Sequence, residues 1–575
     1  MSQTSCLAEG QPAHAVATDT EASVRAEART TAEGAVAIGF RPRGWRAWAG
    51  VAVALIGLVC ATAQAQTLRW ASQGDALTMD PQSQNEGLNN TLNGQVYERL
   101  TRYDRQLQLG PSLATAWQQT GPLTWRFRLR PNVKFHDGTP FTADDVVFSV
   151  LRARNPVSTF SVYANAVGTP VAIDPLTVEF RLDKVNPIFL QHLDSIVIMS
   201  RAWSEQHRVT RPLDFKNKEE SHASFHANGT GPYLLVNRQP GIRTSFRRNP
   251  AWWGWNGGLA DATGNVQEIV YTPIANDATR LAALISGEID FVLDPAPRDI
   301  PRLRTIAGVK VITGPENRII FIGMDQQRDE LLYGSVKDRN PFKDERVRRA
   351  LYQAVDIETM RSKLMNGLSV PTGGTTPSPK GAFDDPELES RLPFDLAAAR
   401  RLMADAGYSD GFEVTLDCPN NRYVNDEEIC LALAAMWAQI KVKVRVNGMP
   451  RSTYFPKLEK WDTSMYLLGW GGAVTDAETT MTPLLRNPGP KGEGLYNYGR
   501  SRNELFDRLA AQSSVEPDPK KREALIRQAL REWRNKVHTL PLHRQMIPWA
   551  MRQNVDVVHR ADNWLEVPWI TIGPR

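Results

Sequence analysis

The chain has 575 residues, of which 42% are hydrophobic and 16 are tryptophan, with 68 Lys and Arg against 63 Asp and Glu. That supply of core residues excludes a disordered chain, and the length alone suggests about three or four domains. A net charge of +5 spread over this length, without a basic run interleaved with aromatics, is too dilute to argue for nucleic acid as a partner, and none is expected.

Residues 1–40 are rich in Ala, Thr, Glu and Gly and read as a leader. Arg41, Arg43 and Arg46 then precede the apolar run Val51 to Val59, and Ala63-Gln64-Ala65 offers small residues for cleavage. The pattern is that of a secretory signal peptide cut after Ala65. The run falls short of the roughly 20 residues that span a bilayer, and Val59 before Cys60 does not suit a lipid-modified cysteine. A soluble, exported protein is expected, in the periplasm. Cys6 and Cys60 leave with the leader. Cys418 and Cys430 then meet an oxidising compartment, where they either close a short loop or stay as buried thiols.

The mature chain opens with a strand near Thr67 to Ala71 and a helix near Leu92 to Leu100, joined by a polar loop holding Asn85 and Glu86. Leu123, Trp125, Phe127 and Leu129 alternate with Thr124, Arg126, Arg128 and Arg130, the period of a strand with one buried face. Val133-Lys134-Phe135 reads as its partner after the Pro131-Asn132 turn. Thr142 with Asp145 forms a capping-box pattern that opens a helix burying Val146, Val147, Val150 and Leu151.

The order Tyr97-Glu-x-Leu, Leu113-Ala-x-x-Trp, Trp125-x-Phe-x-Leu-Arg, Val133-Lys-Phe-His-Asp-Gly-x-Pro-Phe-Thr-Ala-Asp-Asp-Val resembles the signature of family 5 extracytoplasmic solute-binding proteins. These are the dipeptide-, oligopeptide- and nickel-type binding components of bacterial ABC importers. The resemblance implies an α/β, periplasmic-binding-protein type II-like fold, with two lobes, hinge crossings and an extra subdomain in the first lobe. It divides the chain into the leader at 1–65, first-lobe parts at 66–110, 229–316 and 539–575, the subdomain at 111–228 and the second lobe at 317–538. It also implies ABC permease subunits as partners, a monomer, no cofactor and no nucleic acid.

Further along, a strand at Thr177 to Leu182 buries Val178, Phe180 and Leu182. His222 and His226 have the i, i+4 spacing of a helical metal pair, but without a third ligand they read as solvated, and no metal site is expected. Val266 to Ile274, a helix at Ala278 to Ser286 stopped by Gly287, and Ile289 to Leu293 make a βαβ unit. A strand at Arg318 to Met324 and an amphipathic helix from Pro341 to Asp356, capped near Asp344, begin the second lobe. Alternating elements follow at Phe412 to Asp417, Asp426 to Ile440 and Val442 to Val446, then helices at Asn503 to Ser513 and Pro519 to Lys536. The crossings are expected at Gly314 to Asn317 and His538 to Pro541.

Met465-Tyr-Leu-Leu-Gly-Trp-Gly-Gly-Ala-Val-Thr-Asp476 is the expected cleft wall, with Trp470 to stack on a ligand and Gly471 and Gly472 letting backbone approach. It resembles the Gly-Trp segment that lines the cleft in peptide-binding relatives, whose Asp for a peptide amino terminus is Ala473 here; Asp476 is the nearest substitute. Arg422 and Tyr423, Asn497 and Tyr498, Glu316 with Asn317, and Asn85 also resemble cleft-facing positions. An arginine there suits a ligand carboxylate. The expected ligand is a peptide or peptide-like small molecule. A nickel or other metal chelate, an opine or a glycoside is the alternative. An exported hydrolase is remote, since the sequence has no Gly-x-Ser-x-Gly elbow, His-Glu-x-x-His or dinucleotide fingerprint.

Overall fold

The computed structural model describes residues 66–378 and 385–574, so the expected leader and its cleavage after Ala65 lie outside the described residues. Ala65–Arg575 packs as one unit. It begins with β1 (Thr67–Ser72), which buries Leu68 and Trp70. Helix α1 is Gly87–Asn93, earlier than the expected Leu92 to Leu100. The Glu86 carboxylate accepts a hydrogen bond from the Asn89 amide at 3.0 Å and caps the helix, which ends at Gly94.

A four-stranded antiparallel sheet follows, made of β2 (Ala114–Gly121), β3 (Thr124–Leu129), β4 (Thr169–Asp174) and β5 (Thr177–Arg181) in the order β2-β3-β5-β4. Phe127 and Leu129 are buried on β3, whereas Leu123 at the turn is exposed. The expected partner Val133 to Phe135 contributes a single bridge, Lys134 to Pro140; the true partner is β2, whose Thr and Gln residues mask its alternation. Helix α2 (Ala143–Ala153) starts with the reciprocal cap of Thr142 and Asp145. Ala143, Val146, Val150 and Ala153 form its inward face, and Leu151 is 49% exposed because it falls about 100° from Val150. Helix α3 (Phe189–Asp194) completes this core, which runs from Leu100 to Ile198. Met199, Trp203, Val209 and Ala223 pack instead with β1, so this layer ends well before the expected residue 228.

The chain returns through β6 (Tyr233–Gln239), β7 (Arg243–Arg248), β8 (Glu268–Pro273), α4 (Asp277–Ser286) and β9 (Phe291–Leu293). β8 and β9 both run parallel to β1, which lies between them, so the βαβ connection spans one intervening strand. Gly287 ends α4 at φ 81°, where any side chain would be strained.

β10 (Val309–Met324) then runs between the lobes. The second lobe contains α5 (Glu345–Gln353) capped by Asp344, α6 (Leu396–Asp405), β11 (Phe412–Pro419), α7 (Asp426–Ala438), β12 (Val442–Met449), α8 (Arg451–Glu459), β13 (Met465–Gly471), α9 (Glu504–Ser513) and α10 (Pro519–Asn535). β14 (Leu540–Arg552) carries the chain back. One sheet of eleven strands passes through both lobes in the order β12-β11-β13-β10-β14-β9-β1-β8-β7-β6, with Ser369–Pro371 added beside β14. Leu540 and Leu542 pack in the second-lobe core and Ile547, Trp549 and Met551 in the first-lobe core. The return therefore falls at residues 543–546, later than His538 to Pro541. Cys418 at the end of β11 is bonded to Cys430 in α7, closing the loop that carries Arg422 and Tyr423.

Candidate ligand cleft between the lobes

β10 and β14 pair antiparallel, but the register jumps from Pro315 opposite Met546 to Ile319 opposite Arg544. Glu316, Asn317 and Arg318 thus face the single residue Gln545, and this bulge aims the Arg318 side chain into the space between the lobes. Glu316 supports it: Arg318 Nε donates to Glu316 Oε1 at 2.7 Å, and the Gln545 amide donates to Glu316 Oε2 at 2.6 Å. Asn317 acts through its backbone, accepting from Gly472 N at 3.0 Å and donating to Ala561 O at 2.6 Å.

The space enclosed is a cavity of about 1230 Å³, counting its open mouth. Seven of the expected residues line it: Asn85, Arg422, Tyr423, Trp470, Gly471, Gly472 and Tyr498. A Cβ at Gly471 would lie 2.1 Å from the Asn317 carbonyl, so glycine is what lets β13 lie this close to the bulge. The Trp470 indole donates to Thr479 O at 3.2 Å and lies 4.8 Å from the Tyr496 ring, a wall fixed from behind. Arg422 sits 4.7 Å over the Tyr423 ring.

Four expected residues do not line the cavity. Asp476 is held by Arg522 in a bidentate pair at 2.7 and 2.8 Å and so cannot replace the missing carboxylate at Ala473, which does line the cavity. Asn497 is buried with its amide donating to Arg486 O and Ser501 O. Glu316 and Asn317 serve the bulge rather than the cavity wall. His222 and His226 stack face to face at 3.9 Å, with His207 stacked on His222 at 4.0 Å, so their nitrogens do not converge. Among the described residues no group of three or more His, Cys, Asp and Glu could hold a metal ion.

Glu86, noted in the sequence beside Asn85 on the polar loop, lines the cavity, and several other residues around it were not singled out from sequence. Glu86 of the first lobe meets two arginines of the second: Arg422 Nε at 2.6 Å and Arg451 Nη1 at 2.9 Å. Burial works to raise this carboxyl, but the two guanidiniums and the Asn89 amide overcome it and hold it at about 2. A second buried contact joins the lobes where His192 Nε2 lies 2.8 Å from Glu478 Oε2; burial opposes ionisation of Glu478, and His192 brings the carboxyl below its ordinary value. The Tyr496 hydroxyl donates to Thr159 O at 2.5 Å, again between lobes. Two further carboxyls line the cavity: burial pushes Asp194 up to about 6, though Thr101 donates to it, and Glu459 up to about 7. A signal for Tyr496 was present in its neighbours Asn497 and Tyr498, singled out from the same aromatic turn. Arg318 and Arg451 left no local signal, because a bulge and a chain reversal place them.

Two lobes on a shared sheet, joined by long strands and enclosing a lined cavity, define a solute-trapping protein rather than a surface docking module. Residues 108–492 match the family of bacterial extracellular solute-binding proteins, family 5 middle, and the chain belongs to that family. It is the solute-binding component of an ABC importer. Among relatives, it is 26% identical over 454 residues to the glutathione-binding protein GsiB of Pectobacterium atrosepticum, covering 77% of this chain and 81% of that protein. Among solved structures, it is similar to the periplasmic binding protein DppA of Helicobacter pylori in complex with the peptide STSA, at 20% identity and TM-score 0.77, covering 88% of this chain and 98% of the other. The binding protein MoaA of A. tumefaciens R10 with mannopinic acid is similar at 22% identity and TM-score 0.76, covering 88% and 100%. These proteins share the type II-like periplasmic binding fold.

Proposed function

We propose that this chain captures a peptide-like small molecule bearing a carboxylate and hands it unchanged to the permease subunits of its importer. The observation that carries the reading is the inter-lobe cavity with Arg318 and Arg422 on one side and the aromatic wall of Trp470, Tyr496 and Tyr498 on the other. A hypothetical Cβ on Gly87 would lie 3.2 Å from Arg422 Nη2 and 3.7 Å from Arg318 Nη2, so both guanidiniums reach one spot beside the first lobe. Guanidinium forks suit a carboxylate, and ring faces suit the flat amide groups and side chains of a peptide. A glutathione-binding relative and peptide-bound structures of the same fold support this chemistry.

No bond need be made or broken in such a site. Closure over the ligand supplies the signal, since a ligand shifts the open and closed populations by its preference for the closed one. We place the working protein in the periplasm as a monomer, after cleavage behind Ala65; among the described residues no helix is long and apolar enough to cross a membrane. A second reading, an opine-type ligand, is favoured by Ala473 standing where peptide-binding relatives carry a carboxylate, and by the mannopinic acid complex.

Native mass spectrometry of freshly purified mature protein tests this directly. A retained small molecule, recovered unaltered and bound again in calorimetry, is expected. Turnover of the released ligand, or a ligand without any carboxylate, overturns the proposal.

A further inference from the structure

We propose that Glu459 and the rings around it form the subsite for a cationic amino group of the ligand, so that the cleft selects a zwitterion; this rests on the peptide-like reading above. Glu459 is the last residue of α8 and lines the cavity. The Gln84 side chain lines the cavity with it and works to favour its charged form. Among the described residues no Lys, Arg or His nitrogen comes within 4.0 Å of it. Lys216 and Lys460 act on it from farther away, and Asp214 acts against them.

The other carboxylates near the cavity have stronger partners than Glu459 does. Glu86 faces Arg422 and Arg451, and Asp476 is taken by Arg522. Asp194, like Glu459, has no Lys, Arg or His nitrogen within 4.0 Å among the described residues, but it accepts a 2.8 Å hydrogen bond from the Thr101 hydroxyl and has two arginines, Arg99 and Arg560, acting on it. Glu459 is left facing the cavity with no cation against it. A partly buried carboxylate in that condition gains most from a cation brought by the ligand. Burial already pushes its carboxyl up to about 7, which is the cost a bound cation would relieve.

The surroundings suit an ammonium. Phe455, four residues earlier, shares the helix face of Glu459 and also lines the cavity. The Trp470 and Tyr496 rings lie 4.8 Å apart, and Tyr496 and Tyr498 meet edge to face at 6.3 Å and 79°. Both tyrosines feel the Glu459 charge. Ring faces attract cations through their quadrupole and exclude the water that would otherwise screen the carboxylate. Arg318 comes from the β10 bulge and Glu459 from the end of α8, so the two charges of a zwitterion find partners on different elements of the wall.

The test uses the mature chain and a panel of di- and tripeptides including reduced glutathione, each paired with its N-acetyl derivative, screened by thermal shift and measured by calorimetry. Wild type is expected to bind a free-amine member at least tenfold more tightly than its acetylated twin. Glu459→Gln is expected to lose at least tenfold toward the free amine, to bind both twins alike, and to keep the melting temperature of the empty protein. Equal binding of the twins by wild type, or discrimination surviving in Glu459→Gln, overturns the proposal while leaving the peptide-like reading standing. Failure of every panel member to bind wild type overturns that reading and this one with it. Should the variant fold poorly, the comparison of twins on wild type still decides.

Discussion

Glu86→Gln removes the charge that faces Arg422 and Arg451 across the cleft while keeping the side chain's size. The two guanidiniums come from the second lobe and Glu86 from the first, so their attraction exists when the lobes are together and is replaced by water when they part. The carboxyl is held at about 2 in place of its ordinary 4.5, partly by the Asn89 and Leu88 amides of its own lobe, so the share that the two guanidiniums contribute between the lobes is on the order of 1–2 kcal/mol, at ~1.4 kcal/mol per pH unit. Loss of that interaction leaves two buried cations without their counter-charge and shifts the equilibrium toward the open form. In a protein that is mostly open when empty, the apparent Kd rises by about tenfold, since ~1.4 kcal/mol is tenfold. Because the folded value is depressed, the contribution is fully present above about pH 4.5 and is lost as the pH falls toward 2. Wild-type affinity should therefore weaken as the pH falls from about 4.5 toward 2, and that of the variant should change less. Calorimetry with the retained ligand reads the affinity, and small-angle scattering of the empty and loaded forms reads closure. An unchanged Kd and an unchanged radius of gyration in Glu86→Gln would refute the clamp.

Trp470→Ala is expected to weaken ligand binding at least tenfold, ~1.4 kcal/mol, with the melting temperature little changed; equal affinity in calorimetry would remove Trp470 from the cavity wall. Asp476→Asn is expected to leave the Kd within about twofold, because Arg522 occupies this carboxylate, and to cost about 1 kcal/mol of stability in urea unfolding; a large loss of affinity would restore it as a ligand contact. Cys418→Ser is expected to lower stability by about 3 kcal/mol, the loop-closure entropy for a separation of 12 residues, and wild type under reducing conditions should match it.

The sequence was most legible where local chemistry decides structure. The Thr142 and Asp145 cap, the Gly287 stop, the Asp344 cap and the buried face of α5 at Val347, Ala350 and Leu351 follow from adjacent residues, and the structure has each of them. The start of α1 was missed because Glu86 is an uncommon capping residue, and β2 because its outward positions and several inward ones are polar. The cleft wall from Gly469 to Gly472 was readable since a run of glycines around a tryptophan has few purely structural uses. What could not be read was charge pairing between distant segments. Nothing local distinguishes Asp476, tied to Arg522, from Glu459, which has no such tie, and nothing near Glu86 announces Arg451, which lies 365 positions further along.

The bulge at Glu316, Asn317 and Arg318 has a mechanical consequence. Three residues stand opposite Gln545 alone, so the ladder between β10 and β14 is already interrupted at the boundary of the lobes. Between β10 and β14 themselves a rotation about that point breaks no rung opposite the bulge, although Gln545 stays paired with Ser369 and Arg318 with Gly471 on the neighbouring strands. Residence time of the cargo can thus be lengthened or shortened by substitutions at the mouth, with the load-carrying frame of the molecule left alone.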